Sequence, residues 1–252
     1  MIKSTLSKLL KLMFSNTIIG KPYHGTTKML FYEKSQHLLF SFQKTLIYEA
    51  IIQEKAKKYI NDGDFIFDIG GNIGQYVLLF SELVGKTGKV ISIEPDSKNF
   101  AFLQFNIQFN KIINTVILNT GLDKSMGQLQ FYRDTETGGR KGSFSKEFVE
   151  KSFNGYTEQV STMTLDFLIE KYGIPNFVKI DVEGYEFNVL AGLSQDLDKT
   201  TFLVEVRSET KDSVFDYFNS KSYKCYCIDE KEDILITKSI EIPAFANLIF
   251  IK

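Results

Sequence analysis

The rhythm of apolar and polar positions changes twice along the chain. Near the start, Ile2, Leu6, Leu9, Leu10 and Met13 recur with Lys3, Lys8 and Lys11 between them, the spacing of one face of an amphipathic helix. A second helical pattern runs through Leu39, Phe42, Leu46, Ile47, Ala50 and Ile51, and the turn cluster Asn61-Asp62-Gly63-Asp64 ends it. Together these predict an N-terminal helical extension over residues 1–60. From residue 61 onward short apolar runs alternate with helical stretches. Strands are predicted over Phe65–Ile69, Lys89–Glu94, Val116–Leu118, Phe177–Val182, Phe202–Val206, Tyr223–Ile228 and Asn247–Ile251. Helices are predicted over Gly74–Leu83 and through Phe100, Leu103 and Ile107. Strands that alternate with helices imply βαβ units, a parallel sheet and helices on both faces. The expected fold is therefore α/β, a doubly wound, mostly parallel seven-stranded sheet in one domain over 61–252. Residues 127–160 break the rhythm: Leu129-Gln130-Phe131-Tyr132 followed by Gly, Ser, Thr and charge predicts an antiparallel excursion with a long inserted loop.

Composition narrows the function classes. Thirty Lys and Arg against 31 Asp and Glu give a net charge of −1, which argues against an extended nucleic-acid surface. The charge is uneven, because Lys3, Lys8, Lys11, Lys21 and Lys28 all precede the first acid, Glu33. The N-terminal helix is expected to pack on its own domain or on a second copy in a homo-oligomer. The alternative is peripheral contact with an anionic membrane at its inner face. No segment approaches the roughly 20 apolar residues that span a bilayer. Cys225 and Cys227 are the two cysteines, so no disulfide framework or four-ligand Cys/His zinc site is expected, and a reducing, cytoplasmic setting is.

The sharpest local feature is Asp68-Ile69-Gly70-Gly71-Asn72-Ile73-Gly74, placed after a predicted strand and opening a helix. Neither glycine frame fits the Gly-x-Gly-x-x-Gly dinucleotide fingerprint, and no Walker-type loop occurs. The spacing resembles instead the Asp-x-Gly-x-x-x-Gly loop of class I methyltransferases, which bind S-adenosylmethionine. Gly70 permits a strained turn, and Gly71 and Gly74 leave room for a ligand and for close helix–strand contact. Asp68 and Asn72 can serve the ligand's amino and carboxylate groups. Glu94, ending the second strand, can accept both ribose hydroxyls.

The second constellation is Lys179-Ile180-Asp181-Val182-Glu183-Gly184 at the carboxyl end of the fourth strand. Alternation puts Lys179, Asp181 and Glu183 on one side. Glu205, ending the fifth strand, is expected beside them with Arg207 close by. Charges at the end of a buried parallel strand must be paired or used. The two readings are an ion-pair network that organises the sheet and a reactive site.

Taken together, these segments resemble the FkbM family of S-adenosylmethionine-dependent methyltransferases. The resemblance rests on Phe67–Gly74, Ile93-Glu94-Pro95-Asp96, Asn106 with Asn110, Thr164-Leu165-Asp166, and Lys179-Ile180-Asp181-Val182-Glu183-Gly184-Tyr185-Glu186. It runs from about Asp64 to Arg207. Two positions depart from the family: Gly71 and Gly121 stand where alanine is common. The resemblance implies a cofactor site made by Asp68, Gly70, Gly71, Asn72, Gly74, Glu94, Pro95, Asn119, Gly121 and Asp181. It also implies O-methylation of a hydroxyl on a sugar, a glycan or a glycosylated precursor, as in polysaccharide biosynthesis. A non-catalytic cofactor-binding subunit of a biosynthetic complex is the alternative.

In-line methyl transfer needs alignment and removal of the hydroxyl proton. His24 and His37 are the two histidines, both outside the predicted core, which leaves Asp181, Glu183, Lys179 and Glu205 as candidate catalytic groups. Asp181 with Glu205 resembles the metal-ligand placement of catechol-type O-methyltransferases and would suit Mg²⁺. Arg140, Lys141 and Ser143 are candidate lid residues. Phe100, Phe102, Phe105 and Phe109 read as helix packing, with stacking on adenine the alternative.

Overall fold

The computed structural model describes residues 17–33, 42–133, 142–146 and 156–252. The amphipathic pattern over 2–13, His37, Arg140 and Lys141 lie outside the described residues. In chain order the elements are β1 (Ile18–Pro22), β2 (Met29–Glu33), α1 (Ala50–Ala56), β3 (Phe65–Ile69), α2 (Gln75–Leu83), β4 (Lys89–Ile93) and α3 (Ser97–Phe109). There follow β5 (Thr115–Leu118), β6 (Gly121–Leu122), β7 (Gly127–Tyr132), β8 (Thr157–Met163), α4 (Leu165–Tyr172), β9 (Phe177–Ile180) and α5 (Glu186–Leu190). The chain closes with β10 (Thr201–Arg207), α6 (Lys211–Ser220), β11 (Lys224–Cys227), β12 (Ile234–Ile236) and β13 (Phe245–Ile251).

Among the described residues the main sheet has eight strands, in the order β12-β11-β13-β10-β9-β3-β4-β5. The run from β10 to β5 is parallel. β13 is antiparallel to β10 and β11, and β12 is antiparallel to β11. The expected seven-stranded sheet is thus corrected to a mixed sheet of eight. The added strand is only three residues long, too short for an alternation to register, and two of them (Ile234 and Leu235) are exposed at the edge. Strand order reverses between β3 and β9, because chain succession leads from β3 outward to β4 and β5 and then returns. A crevice opens at the carboxyl ends of strands where the order switches in this way. The excursion pairs β7 antiparallel with β8, and β8 parallel with β6, in a separate three-stranded sheet. No helix among the described residues is long and apolar enough to cross a membrane.

Within the expected N-terminal helical extension, residues 18–33 are corrected to a two-stranded hairpin, and among the described residues of the 38–60 pattern α1 and a 3₁₀ turn over Lys57–Tyr59 are helical. The cause lies in α2. Its residues Tyr76, Val77, Leu78, Leu79 and Phe80 are all buried, and a helix that is apolar all round must be covered on every side. The sheet covers one side. Tyr23, Leu30, Tyr32 and Leu46 form a cluster with Ile73 and Leu78 on another, and Ile52 and Ala56 of α1 join Tyr76, Leu79 and Phe80. Leu30 and Tyr32, two apart, share one face of β2, so this cover is built on period two rather than on helical period.

The hairpin is clipped to α3 by two asparagines. Asn106 Oδ1 accepts from the Phe31 N–H at 2.7 Å and its Nδ2 donates to the Phe31 carbonyl at 2.9 Å. Asn110 does the same for Met29, at 2.8 and 2.7 Å. Four residues on a helix advance about 6 Å and two on a strand about 6.6 Å, so an i, i+4 pair of amides matches alternate residues of a strand edge. Phe31 also meets Phe105 and Phe109 edge-on, with centroids at 5.1 and 4.3 Å. Replacing Asn106 with leucine is expected to destabilise the fold by about 2–4 kcal/mol, since it strands buried backbone groups. Urea unfolding, with hydrogen exchange at the Phe31 amide, measures it.

Candidate functional site

The carboxyl ends of β3, β4, β9 and β10 border one cavity of about 290 Å³. Its lining includes Gly70, Asn72, Glu94, Pro95, Gly121, Asp181, Glu183 and Glu205 from the sequence-predicted set. Asp68, Gly71, Gly74, Asn119 and Lys179 are not among the lining residues.

The glycine loop is shaped by close approach. Gly70 has φ +88°, and a Cβ there would stand 1.9 Å from the Asp181 carbonyl oxygen. A Cβ at Gly71 would meet Ser92 Oγ at 2.1 Å, so the glycine that departs from the family is matched to the serine beside it. The N–H groups of Gly70 and Gly71 both donate to the Ile93 carbonyl at 2.9 Å, which hangs the loop on β4. Asn72 lies in the left-handed region at φ 48°. Its N–H donates to Glu94 Oε2 at 2.7 Å, while Glu94 Oε1 accepts from the Asp96 N–H at 2.8 Å. Each Glu94 oxygen keeps one further hydrogen-bonding position, and the residue lines the cavity. Burial, then the neighbouring Asp96, pushes its pKa up to about 8.

Asp68 is fully buried behind the loop, where Oδ2 accepts from Ser92 Oγ at 2.9 Å and Oδ1 has no hydrogen-bond partner among the described residues. Burial raises its pKa against the opposing Lys179 and Ser92. In this arrangement it braces the loop from below and does not line the cavity. Asn119 likewise braces, donating to the Glu94 and Pro95 carbonyls at 2.9 and 3.2 Å. Gly74 is the N-cap residue of α2.

The carboxylate group sits at the other end. Lys179 Nζ, buried at 4% exposure, donates to Asp181 Oδ2 at 3.0 Å and stands 4.6 Å over the Tyr76 ring. Burial would lower its pKa, but Asp181, Asp68 and Glu49 outweigh that and hold it protonated. β9 ends at Ile180, so strand alternation does not carry Glu183 to its place. Successive left-handed residues, Glu183 at φ 54° and Gly184 at φ 86°, turn it instead. Arg207 then pairs with Glu183, and with Glu205 at 3.2 Å. Burial and the surrounding carboxylates raise the pKa of both Glu183 and Glu205. Asp181, Glu183 and Glu205 can place oxygens within 4.8 Å of one another.

Several lining residues were not anticipated. Tyr48 and Glu49 enter from the N-terminal segment, Phe131 and Phe144 from the excursion, Tyr185 from the turn before α5 and Phe245 from β13. Phe131 and Phe144 meet edge-on at 5.0 Å, and Phe144 and Tyr185 lie 5.5 Å apart. Tyr185 donates to Asp123 Oδ1 at 2.9 Å. Its place in the family-like segment after Gly184 was a usable signal; Glu49 carried none. The candidate lid residue Ser143 is buried and bridges Tyr132. The α3 phenylalanines do not line the cavity, and His24 is exposed on the hairpin turn.

Residues 68–225, more than half of the chain, match the methyltransferase FkbM domain. The hexuronic acid methyltransferase AglP of Haloferax volcanii is 30% identical over 146 residues, 57% of this chain and 55% of that protein. The chain thus spans about half the length of that relative. Methyltransferase 1 of Beauveria bassiana is 28% identical over 177 residues, 64% of this chain and 70% of that protein. The crystal structure of methyltransferase FkbM from Methylobacillus flagellatus superposes with a TM-score of 0.49 at 14% identity, covering 79% of this chain and 50% of that one.

Glu94 yields a pH prediction. Its carboxyl is held neutral in the folded state well above the ordinary value of 4.5, so its share of stability is full at low pH and lost as pH rises through about 8. Glu94→Gln should flatten part of that decline, as read by urea midpoints from pH 4.5 to 8.

Proposed function

The chain belongs to the methyltransferase FkbM domain family, and from that premise we propose that it transfers a methyl group from S-adenosylmethionine to a hydroxyl of a sugar or glycan. One observation carries the reading: Asp181, Glu183 and Glu205 converge in the same cavity as the glycine loop and Glu94. The relative named as a hexuronic acid methyltransferase supports a sugar as the acceptor.

The residues present fit the cofactor. Glu94 accepts one backbone N–H on each oxygen and keeps one further hydrogen-bonding position per oxygen, an acceptor on one and, in the neutral form, a hydroxyl donor on the other, which suits the two hydroxyls of a ribose. Gly70 and Asn72 line the adjoining wall, and Pro95 and Gly121 the wall beyond Glu94. When bound, S-adenosylmethionine supplies an electrophilic methyl on a sulfonium. Asp181, fixed by Lys179, is placed to accept the proton that leaves the acceptor hydroxyl. Its neighbours Glu183 and Glu205 hold protons more tightly than isolated carboxylates do, through burial and the surrounding carboxylates. Arg207, bonded to both, keeps them oriented.

A divalent cation does not fit this donor set as it stands. Lys179 occupies Asp181, and Arg207 occupies Glu183 and Glu205, so a Mg²⁺ ion among them would face two cations at close range. The reaction proposed here runs without metal.

Asp181→Asn is expected to lower turnover by about 10²-fold or more, with S-adenosylhomocysteine affinity within a few-fold of wild type. Single-turnover kinetics and titration calorimetry separate the two. Unchanged turnover would remove Asp181 from the chemistry. Treatment with EDTA, with metal content checked by elemental analysis, should leave the rate unchanged; loss of activity restored by Mg²⁺ would reverse the metal-free reading.

A further inference from the structure

Glu49 lies outside the residues matched to the family, yet its side chain lines the cavity beside Asp181 and Glu205. Several features hold it there. Its backbone is left-handed at φ 44°, ψ 44°, directly before α1, a conformation that a residue with a Cβ adopts at a cost and that clusters at functional sites. The Tyr76 hydroxyl, on α2, donates to Glu49 Oε2 at 2.7 Å. The segment that delivers Glu49 is anchored in turn. Leu46 N–H donates to the Pro22 carbonyl at 2.8 Å, His24 N–H donates to the Leu46 carbonyl at 2.8 Å, and Tyr23 accepts from Gln53.

At this end of the cavity carboxylates outnumber cations. Glu49, Asp181, Glu183 and Glu205 face Lys179 and Arg207, and both cations are engaged by carboxylates of the group. The field of Glu49 adds to that of Asp181 and Glu183 in raising the Glu205 pKa, and Lys179 feels Glu49 in turn. Position across the sheet separates two ends. Gly70 and Glu94 follow β3 and β4, with Gly121 of the small sheet beside them, on the side proposed for the adenosine, and Asp181, Glu183 and Glu205 lie at β9 and β10. The carboxylate end is therefore where the transferred methyl and its acceptor meet, a conclusion that rests on the cofactor reading above.

We propose that Glu49 is an acceptor-specificity residue: it makes the transfer point of the cavity select a neutral or cationic acceptor group, a hydroxyl or an amine, and reject a carboxylate. A carboxyl group facing an acceptor attracts positive charge and hydrogen-bond donors, and an anionic acceptor would meet carboxyl oxygens where both cations are already bonded.

The charge at the transfer point can be read without knowing the acceptor. Sinefungin carries an ammonium where S-adenosylmethionine carries its transferable methyl, whereas S-adenosylhomocysteine carries nothing there. Calorimetry on the intact protein should find sinefungin bound about tenfold tighter than S-adenosylhomocysteine. Glu49→Gln should bring that ratio to within about threefold while S-adenosylhomocysteine affinity holds. Should Glu49→Gln fail to fold by thermal melting, Tyr76→Phe removes one of the hydroxyls bonded to Glu49, and it should lower the ratio in the same direction. A ratio near one in the wild type overturns the proposal. So does a ratio that neither variant moves, a parallel loss of both affinities in Glu49→Gln, or preferential methyl transfer to a carboxylate acceptor. If the wild type binds neither compound, the cofactor reading itself fails; if it binds both and the ratio does not move, the assignment of Glu49 alone falls.

Discussion

The loops that bound the cavity can coexist because residue 70 has no side chain. Parallel pairing of β3 with β9 brings their carboxyl ends together, and the turn leaving β3 passes against the Asp181 carbonyl, where a Cβ would intrude to 1.9 Å. That contact sets the register of everything above it. The Asp181 N–H donates back to the Ile69 carbonyl at 3.0 Å, which locks the first residue after β9 to the last residue of β3. Gly71 and Ser92 repeat the fit on the β4 side, and Ser92 spends its hydroxyl on Asp68. The glycine loop is thus held from both neighbouring strands before any ligand enters, as suits a site whose geometry must be set in advance.

Charge is arranged on the same frame. Asp68, Lys179 and Asp181 run from beneath the loop to its surface, and Asp68 and Lys179 stand opposite each other in the β3–β9 register. Lys179 is the one buried cation in this column, and Tyr76 contributes a ring face to it. Arg207 performs the matching task for Glu183 and Glu205 and lies 5.1 Å over the Phe245 ring. Burying so many carboxylates together is unfavourable unless each finds a cation, a donor or a proton. The observed partners supply the first two, and the raised pKa values of Glu94, Glu183 and Glu205 mark where protons supply the rest.

The N-terminal segment completes the molecule in two ways. It covers the outer face of α2, which would otherwise expose Leu78 and Tyr76, and it carries Tyr48 and Glu49 into the cavity. Both depend on the asparagine clip from α3, because the hairpin lies on no strand of the main sheet. A surface needed for folding has therefore also become a wall of the cavity, which couples the stability of the hairpin to the geometry of the carboxylate end.

The sequence by itself determined the alternation of strands and helices, the glycine loop after β3, the acid at the end of β4 and the charged ends of β9 and β10. These are local signals: periodicity, turn chemistry and short motifs are written in adjacent residues. Three things were decided only by tertiary structure. Asp68 lies behind the loop, bonded to Ser92, and the cavity lining does not include it. Glu183 reaches Arg207 through a pair of left-handed residues, not through the strand alternation that the sequence suggested. Residues 18–33 form a hairpin because α2, apolar on every side, needs a flat cover, and Glu49 enters the cavity as a consequence. Each outcome turns on which surfaces meet across a gap of dozens of residues. That is information a sequence holds only in the summed packing of the whole chain, and no local pattern reports it.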